Sequence, residues 1–106
     1  MRARNWARAL WEDELDGLDL LVAPAMPIVA PRLDGVPPDY RLLIMPYNSP
    51  AALLGLPVTV VPSGLVGGLP VGLALMGRHG EDATVLAAAV AFQAATEWHL
   101  QRPDLI

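Results

Sequence analysis

Residues 49–64 read SPAALLGLPVTVVPSG and residues 68–78 read GLPVGLALMGR, and these two stretches decide the fold. Each contains Gly-Leu-Pro followed by a run of β-branched or aliphatic residues, which predicts strands at Val58–Val61 and Val71–Met76. Proline stands just before or at the first strand residue, where its missing N–H does least harm to a sheet. The glycine-rich residues 63–68 join the two strands, so the sequence predicts a hairpin with a longer loop.

The N-terminal residues predict a helix over about residues 3–15, because Ala7, Trp11 and Leu15 recur at helical spacing. Asp16 and Gly17 follow and predict its end. Arginines lie at the start of this segment and acids at its end, which is opposite to the preference of the helix macrodipole. Two explanations remain open. Either the helix begins upstream of Met1, or the placement of charge matters little here.

The middle of the chain predicts a strand, a loop and a short helix. Residues 18–23 are typical of a buried strand, and the prolines of residues 24–39 predict a loop. Residues 41–54 are ambiguous, but their last part favours a short helix that begins near Pro50. Asn48 or Ser49 would cap this helix and Gly55 would end it.

The last helix is predicted to begin at Gly80-Glu81-Asp82, with Asp82 as its N-cap. Its residues are apolar on nearly all sides, which is typical of a buried helix. The order of elements is helix, strand, loop, short helix, strand, strand, helix. This order predicts an α/β fold, a mixed sheet segment with covering helices.

The composition indicates a chain that packs against something larger. Hydrophobic residues make up 54% of the 106 residues and charged residues 17%, against averages of about 45–50% and about 25%. The net charge is −4 and there is no basic stripe, which argues against nucleic-acid binding. The uncharged stretch between Arg41 and Arg78 is interrupted by five prolines, which argues against a membrane span. The absence of cysteine fits a reducing cytoplasm.

The residues alone do not assemble a recognisable active site. The only serines are Ser49 and Ser63, the chain has no lysine, and no Gly-x-Ser-x-Gly motif is present. Ser63 before a glycine is typical of a turn, and Ser49 of a helix cap. A metal site built on His79, Glu81 and Asp82 lacks a second histidine at ligand spacing. The sequence therefore predicts no catalytic residue, no metal site and no cofactor.

Three segments, taken in order, resemble the amidase signature family. Residues 19–27 are similar to that family's strand and proline-rich loop. Residues 50–64 resemble its Pro-x-Asn-x-x-Gly-x-Pro-x-x-x-x-Pro-x-Gly pattern, and residues 68–78 its Gly-Leu-Pro-x-Gly-Leu-x-Leu-x-Gly-Arg strand. The resemblance implies enzymes that hydrolyse carboxamides, or transfer their nitrogen, through an acyl-enzyme serine activated by a second serine and a lysine.

The resemblance also implies that this chain, residues 1–106, is an incomplete C-terminal segment of an amidase-like domain. The family's serines and lysine belong to segments upstream of the part matched here. The chain would contribute a substrate-pocket wall at Met45, Tyr47, Asn48 and Ala52 and be inactive alone. Two departures from the family matter. Ala52 replaces the family's usual asparagine, so the contribution of that amide is missing. Met45 replaces an acid of the glutamine-handling relatives, which favours a general amidase over a glutamine-specific one.

The implied partner is the rest of an amidase domain, or a second chain that covers the apolar surface, and homo-oligomerisation stays open. An alternative function is a non-catalytic interaction partner that completes a separately encoded amidase part. A third alternative is a decayed remnant without function. The agreement of turn residues with hydrophobic periods argues against decay.

Overall fold

The computed structural model describes residues 2–104 and contains three α-helices, three strands and a short 3₁₀ turn. In chain order these are α1 (Arg2–Glu14), β1 (Leu20–Pro24), α2 (Tyr40–Leu54), β2 (Val58–Val66), β3 (Leu69–Gly77), α3 (Asp82–Ala95) and the 3₁₀ turn (Trp98–Leu100). The predicted α/β class is confirmed. The three strands form one antiparallel sheet in the order β1-β3-β2, so β3 is the central strand.

The hairpin of β2 and β3 is tighter than the sequence predicted. The strands extend to Val66 and Leu69, so the loop is the two residues Gly67 and Gly68 and not residues 63–68. Their φ angles of 58° and 80° suit the two central residues of a tight hairpin turn. The shift in register between Pro62 and Gly64 leaves Ser63 without a paired residue, as in a β-bulge. The bulge lets the strands stay paired beyond the predicted end.

One face of the sheet is covered by α3. Val61 and Leu75 point to this side and form a buried cluster with Val85 and Ala89. The helix contacts β2 and β3. At the end of β3 the helix comes so close that a Cβ on Gly77 would stand 2.5 Å from Cγ2 of Val85. Glycine at position 77 therefore allows α3 to pack closely against the sheet.

The opposite face of the sheet is covered in part by α1 and α2. Ala51, Leu54 and Leu56 are buried there, with Trp11 and Met76 packed against them. This second cluster is small, and its members come from the end of α2 and the chain that follows it.

The helix α2 corrects the sequence prediction. It runs over 15 residues and passes through Pro46 and Pro50, instead of beginning near Pro50 with Asn48 or Ser49 as its cap. Each proline removes one backbone hydrogen bond, a loss that local rules treat as helix-breaking. The first half of the longer helix has tertiary neighbours, since Leu42 and Met45 line the same groove as Ala7 of α1. Its predicted end at Gly55 is confirmed, with a left-handed φ of 69°.

The start of α3 also differs by one residue from the prediction. Glu81 is the N-cap and Asp82 is the first helical residue. The carboxylate of Glu81 accepts a hydrogen bond from the Thr84 hydroxyl at 3.1 Å. The acid of the first turn still lies where the helix dipole favours it.

The reversed charges on α1 are explained by its neighbours. The Nη2 atoms of Arg4 and Arg8 lie 3.7 and 3.9 Å from the point where a Cβ on Gly55 would stand. Gly55 is the C-cap of α2, and cations are favourable near a helix C-terminus. At the other end of α1, Glu12 pairs with Arg78 at 3.6 Å. Arg4, Arg8 and Glu12 therefore match neighbouring elements and not the macrodipole of α1.

The fold is a thin slab with an unusually large surface. Its Cα extents are 49 × 38 × 18 Å and its radius of gyration is 15.8 Å, against about 13 Å for a compact chain of this length. The accessible surface is 7837 Å², about 2,100 Å² more than the roughly 5,700 Å² expected for this mass. Within residues 2–104, no helix combines the length and apolarity needed to cross a membrane.

Substitution of Gly77 by alanine should destabilise the fold by about 1–3 kcal/mol, because the new Cβ overpacks the contact with Val85. Urea-induced unfolding would measure this change. The matched control is Gly35→Ala, because a Cβ at Gly35 meets nothing closer than 3.9 Å. The control should be neutral or slightly stabilising. Equal effects of the two substitutions would contradict the close approach of α3.

Replacement of Arg8 by glutamate should lower the free energy of unfolding by about 1 kcal/mol, since it puts an acid beside the C-terminus of α2. The effect should shrink at 1 M salt because partly exposed charges are screened. Thermal melts at low and high salt would measure it. Arg102→Glu, which makes the same change of net charge outside the helices, is the control and should have a smaller effect.

Candidate functional site

A groove between α2 and the sheet contains three of the four predicted pocket residues. Tyr47, Asn48 and Ala52 lie on one side of α2 and line a cavity of about 360 Å³. All three are exposed in the isolated chain. Asn48 and Ala52 are four positions apart and therefore share one side of the helix, and Tyr47 lies beside Asn48 at the edge of the same cavity.

The floor of this groove is a set of sheet residues that the sequence analysis did not identify. Val58 pairs with Met76, and Val60 with Ala74, so these four side chains share one face of the sheet. Val60 is 55% exposed although it lies in the middle of its strand. The period of two along a predicted strand places Val58 and Val60 on one face, but the sequence does not reveal that α2 lies over that face.

Met45 lies elsewhere. It lines a second groove, of about 480 Å³, between α1 and α2, together with Ala7, Ser49 and Leu53. The predicted pocket wall is thus divided by α2, with Tyr47, Asn48 and Ala52 on the sheet side and Met45 on the α1 side. Tyr47 also lines a smaller cavity of about 220 Å³ beneath α2, next to Trp11.

The groove on the sheet side is apolar and uncharged. Its polar side-chain groups are the phenol of Tyr47 and the amide of Asn48, and the remaining lining residues are aliphatic or methionine. An amide and a phenol can exchange hydrogen bonds with a neutral carboxamide. The groove therefore suits an uncharged polar group with an apolar substituent, and the described residues that line it include no strong base.

The two serines and two histidines do not form a nucleophile–base pair. Ser63 donates a hydrogen bond to the carbonyl oxygen of Val71 at 3.4 Å, and Ser49 lines the groove between α1 and α2. His79 contacts the guanidinium of Arg8. Nδ1 of His99 is buried without a hydrogen-bond partner in the described part of the chain. Among residues 2–104, no hydrogen bond joins a serine to a histidine.

Metal binding has no support in the part of the chain that the structure describes. Residues 2–104 contain no group of three or more histidine or acidic side chains that could hold an ion. His79, the residue around which a metal site would be built, faces Arg8. A guanidinium beside the imidazole opposes a cation there.

The comparisons with known proteins give one family. The sequence model of the family described as Amidase matches residues 1–86. A glutamyl-tRNA(Gln) amidotransferase subunit of Moorella thermoacetica is 38% identical over 107 residues, which are 99% of this chain and 22% of that protein. The corresponding subunit of Chloroflexus aurantiacus is 41% identical with the same coverage. The chain therefore spans about a fifth of the length of these relatives.

Solved structures agree with the sequence matches. The corresponding amidotransferase subunit of Thermotoga maritima superposes with a TM-score of 0.84 at 28% identity, covering 97% of this chain and 24% of that one. The peptide amidase of Stenotrophomonas maltophilia gives 0.68 at 35% identity, covering 98% and 21%. A bacterial aryl acylamidase gives 0.74 at 27% identity, covering 94% and 24%. The resemblance predicted from the sequence motifs is confirmed.

Proposed function

This chain belongs to the amidase family, and from that premise we propose that it forms one wall of a domain that cleaves carboxamide C–N bonds. The observation that carries the proposal is the groove between α2 and the sheet. It is concave and uncharged, and the described residues that line it include no nucleophile. In this proposal residues 1–106 are an incomplete C-terminal segment. The serine nucleophile, the second serine and the lysine come from the remaining part of the domain.

The groove wall would hold the substrate while residues from elsewhere attack it. We assign Tyr47, Asn48 and Ala52 to this wall, since they line one cavity. Met45 lines the second groove, apart from these three residues. We therefore assign to Met45 a contact near the substrate only in the complete domain. The apolar floor of Val58, Val60 and Met76 would accept the hydrocarbon part of an amide substrate.

The substrate class in this proposal is a general carboxamide. The relatives named above include amidotransferase subunits, a peptide amidase and an aryl acylamidase. Met45 stands where the resemblance implies an acid in glutamine-handling relatives, which favours the general class. The lack of cysteine supports a place in a reducing compartment such as the cytoplasm.

The chain alone should be inactive, because a serine without a base or lysine is a weak nucleophile. The measurement is ammonia release from glutamine and from a peptide amide, and arylamine release from an anilide, with the crystallised peptide amidase as positive control. We expect no release above buffer from the purified chain. Activity that follows the protein through purification and disappears in Ser63→Ala or Ser49→Ala would contradict the proposal.

Activity should appear when the chain is placed in a complete domain. The test protein is a chimera in which this chain replaces the 107 matched residues of the Moorella amidotransferase subunit. In it, Ala52→Asn should raise kcat/KM for a carboxamide about five- to tenfold, the value of one added hydrogen bond of about 1–1.4 kcal/mol. Ser49→Asn is the control, because Ser49 lines the other groove, and it should change little. Equal effects would remove Ala52 from the site.

A further inference from the structure

The outward side of α3 is an apolar strip without a polar residue. Six residues of this helix are exposed and apolar along one side, and they define the outer seam: Ala83, Leu86, Ala87, Val90, Ala91 and Ala94. Leu86 is 57% and Val90 68% exposed. The opposite side of the helix is the one that packs on the sheet through Val85 and Ala89. A helix that is apolar on both sides is normally buried on both sides.

The residue sizes in the seam favour a helix as the covering element. Ala83, Ala87 and Ala91 recur every four positions, so a second helix can approach at the short end of the 8–10 Å range of interaxial distances. Leu86 and Val90 stand between the alanines as larger side chains that can enter grooves of a partner helix. Rows of side chains at spacings of three and four residues are the ridges that pack into the grooves of a second helix.

The sheet beside α3 is also uncovered on the same side. Val22 pairs with Leu75, which faces α3, so Val22 points to that side of the sheet. It is nevertheless 54% exposed, although Leu20 at the start of the same strand packs against the α3 cluster. The layer formed by α3 therefore leaves the middle of β1 open on this side, where a further element could cover it.

The amount of excess surface identifies what covers the seam. The chain exposes about 2,100 Å² more than a compact protein of its mass, whereas a standard interface buries about 800 Å² per partner. A second copy of the chain bound at one helix would leave most of this excess surface exposed to solvent. The curated relatives, in contrast, are long enough that this chain covers only 22% of them.

We propose that the outer seam of α3 is the docking site for a helix from the remaining part of the amidase domain. This inference rests on the proposed function and names where the rest of the domain attaches. The seam excludes an acidic or basic partner surface, since it offers no charge to pair. The partner surface is an apolar helix face.

The experiment compares stability in two settings, the isolated chain and the Moorella chimera defined above. Val90→Glu puts a charge into the seam, and Ala91→Leu fills the space between two helices while keeping a good helix former. Gln93→Glu is the matched control, because it adds the same charge on the same helix outside the seam. Melting temperatures are followed by circular dichroism, and sedimentation velocity reports the mass of each species.

We expect both seam variants to lower the melting temperature of the chimera by several degrees, with Gln93→Glu close to the unmodified chimera. The isolated chain should melt equally with and without Val90→Glu. If the isolated chain shows no cooperative melt, the inference is tested by the difference in melting temperature between the Val90→Glu and Gln93→Glu variants of the chimera. The Ala91→Leu result distinguishes close helix packing from nonspecific hydrophobic association. Leucine adds apolar surface, so it would strengthen a nonspecific contact, whereas it would overpack a close contact between two helices.

Three results would overturn the inference. A folded chimera that responds alike to Val90→Glu and Gln93→Glu would reject the seam and leave the proposed function standing. A dimer of the isolated chain that Val90→Glu dissociates, with a chimera that does not respond, would make the occupant a second copy. An unmodified chimera that fails to fold, while the native Moorella protein folds, would reject the proposed function and with it the occupant named here.

Discussion

The central strand β3 is the element on which the other contacts depend. It is paired on both edges, and both layers of helices rest on it, so its side chains set how closely they approach. Gly77 and Ala74 are small at the points of contact. A Cβ on Gly72 would stand 2.8 Å from Cγ1 of Val60. Small residues on a strand that also carries Leu75 and Met76 let one strand support helices on both faces.

The parts of the fold that could be predicted from the sequence are those with local causes. Proline fixes φ and glycine permits the positive φ that tight turns and helix ends require, so the hairpin and the end of α2 at Gly55 could be found without knowing the tertiary structure. The same local rules failed at Pro46 and Pro50, which lie inside α2. The first half of α2 has neighbours elsewhere in the fold, since Leu42 and Met45 line the same groove as Ala7 of α1. Local rules cannot weigh such tertiary contacts, because they depend on residues distant in the chain.

The charges of α1 and the candidate site also depend on tertiary neighbours that the sequence alone does not reveal. Arg4 in the first turn of α1 looked misplaced because the macrodipole of α1 was the only reference that the sequence offered. Its reference is the end of α2, a neighbour that the sequence does not reveal. Tyr47, Asn48 and Ala52, which the resemblance assigns to a pocket wall, line one cavity, and their part in a site stays a prediction. The sequence analysis did not identify Val58 and Val60, which line the same cavity. The floor depends on which face of the sheet α2 covers.

The small core and the missing chemistry have a common explanation in the proposed function. Within residues 2–104, nine hydrophobic residues are buried and three of these are alanine, whereas 21 large hydrophobic residues are exposed. Burial of apolar area is the main favourable term in folding, and the exposed residues contribute little of it. A surface of this kind gains stability only when other elements cover it. The same elements would bring the nucleophile to the groove, so completing the core and completing the active site would be a single event.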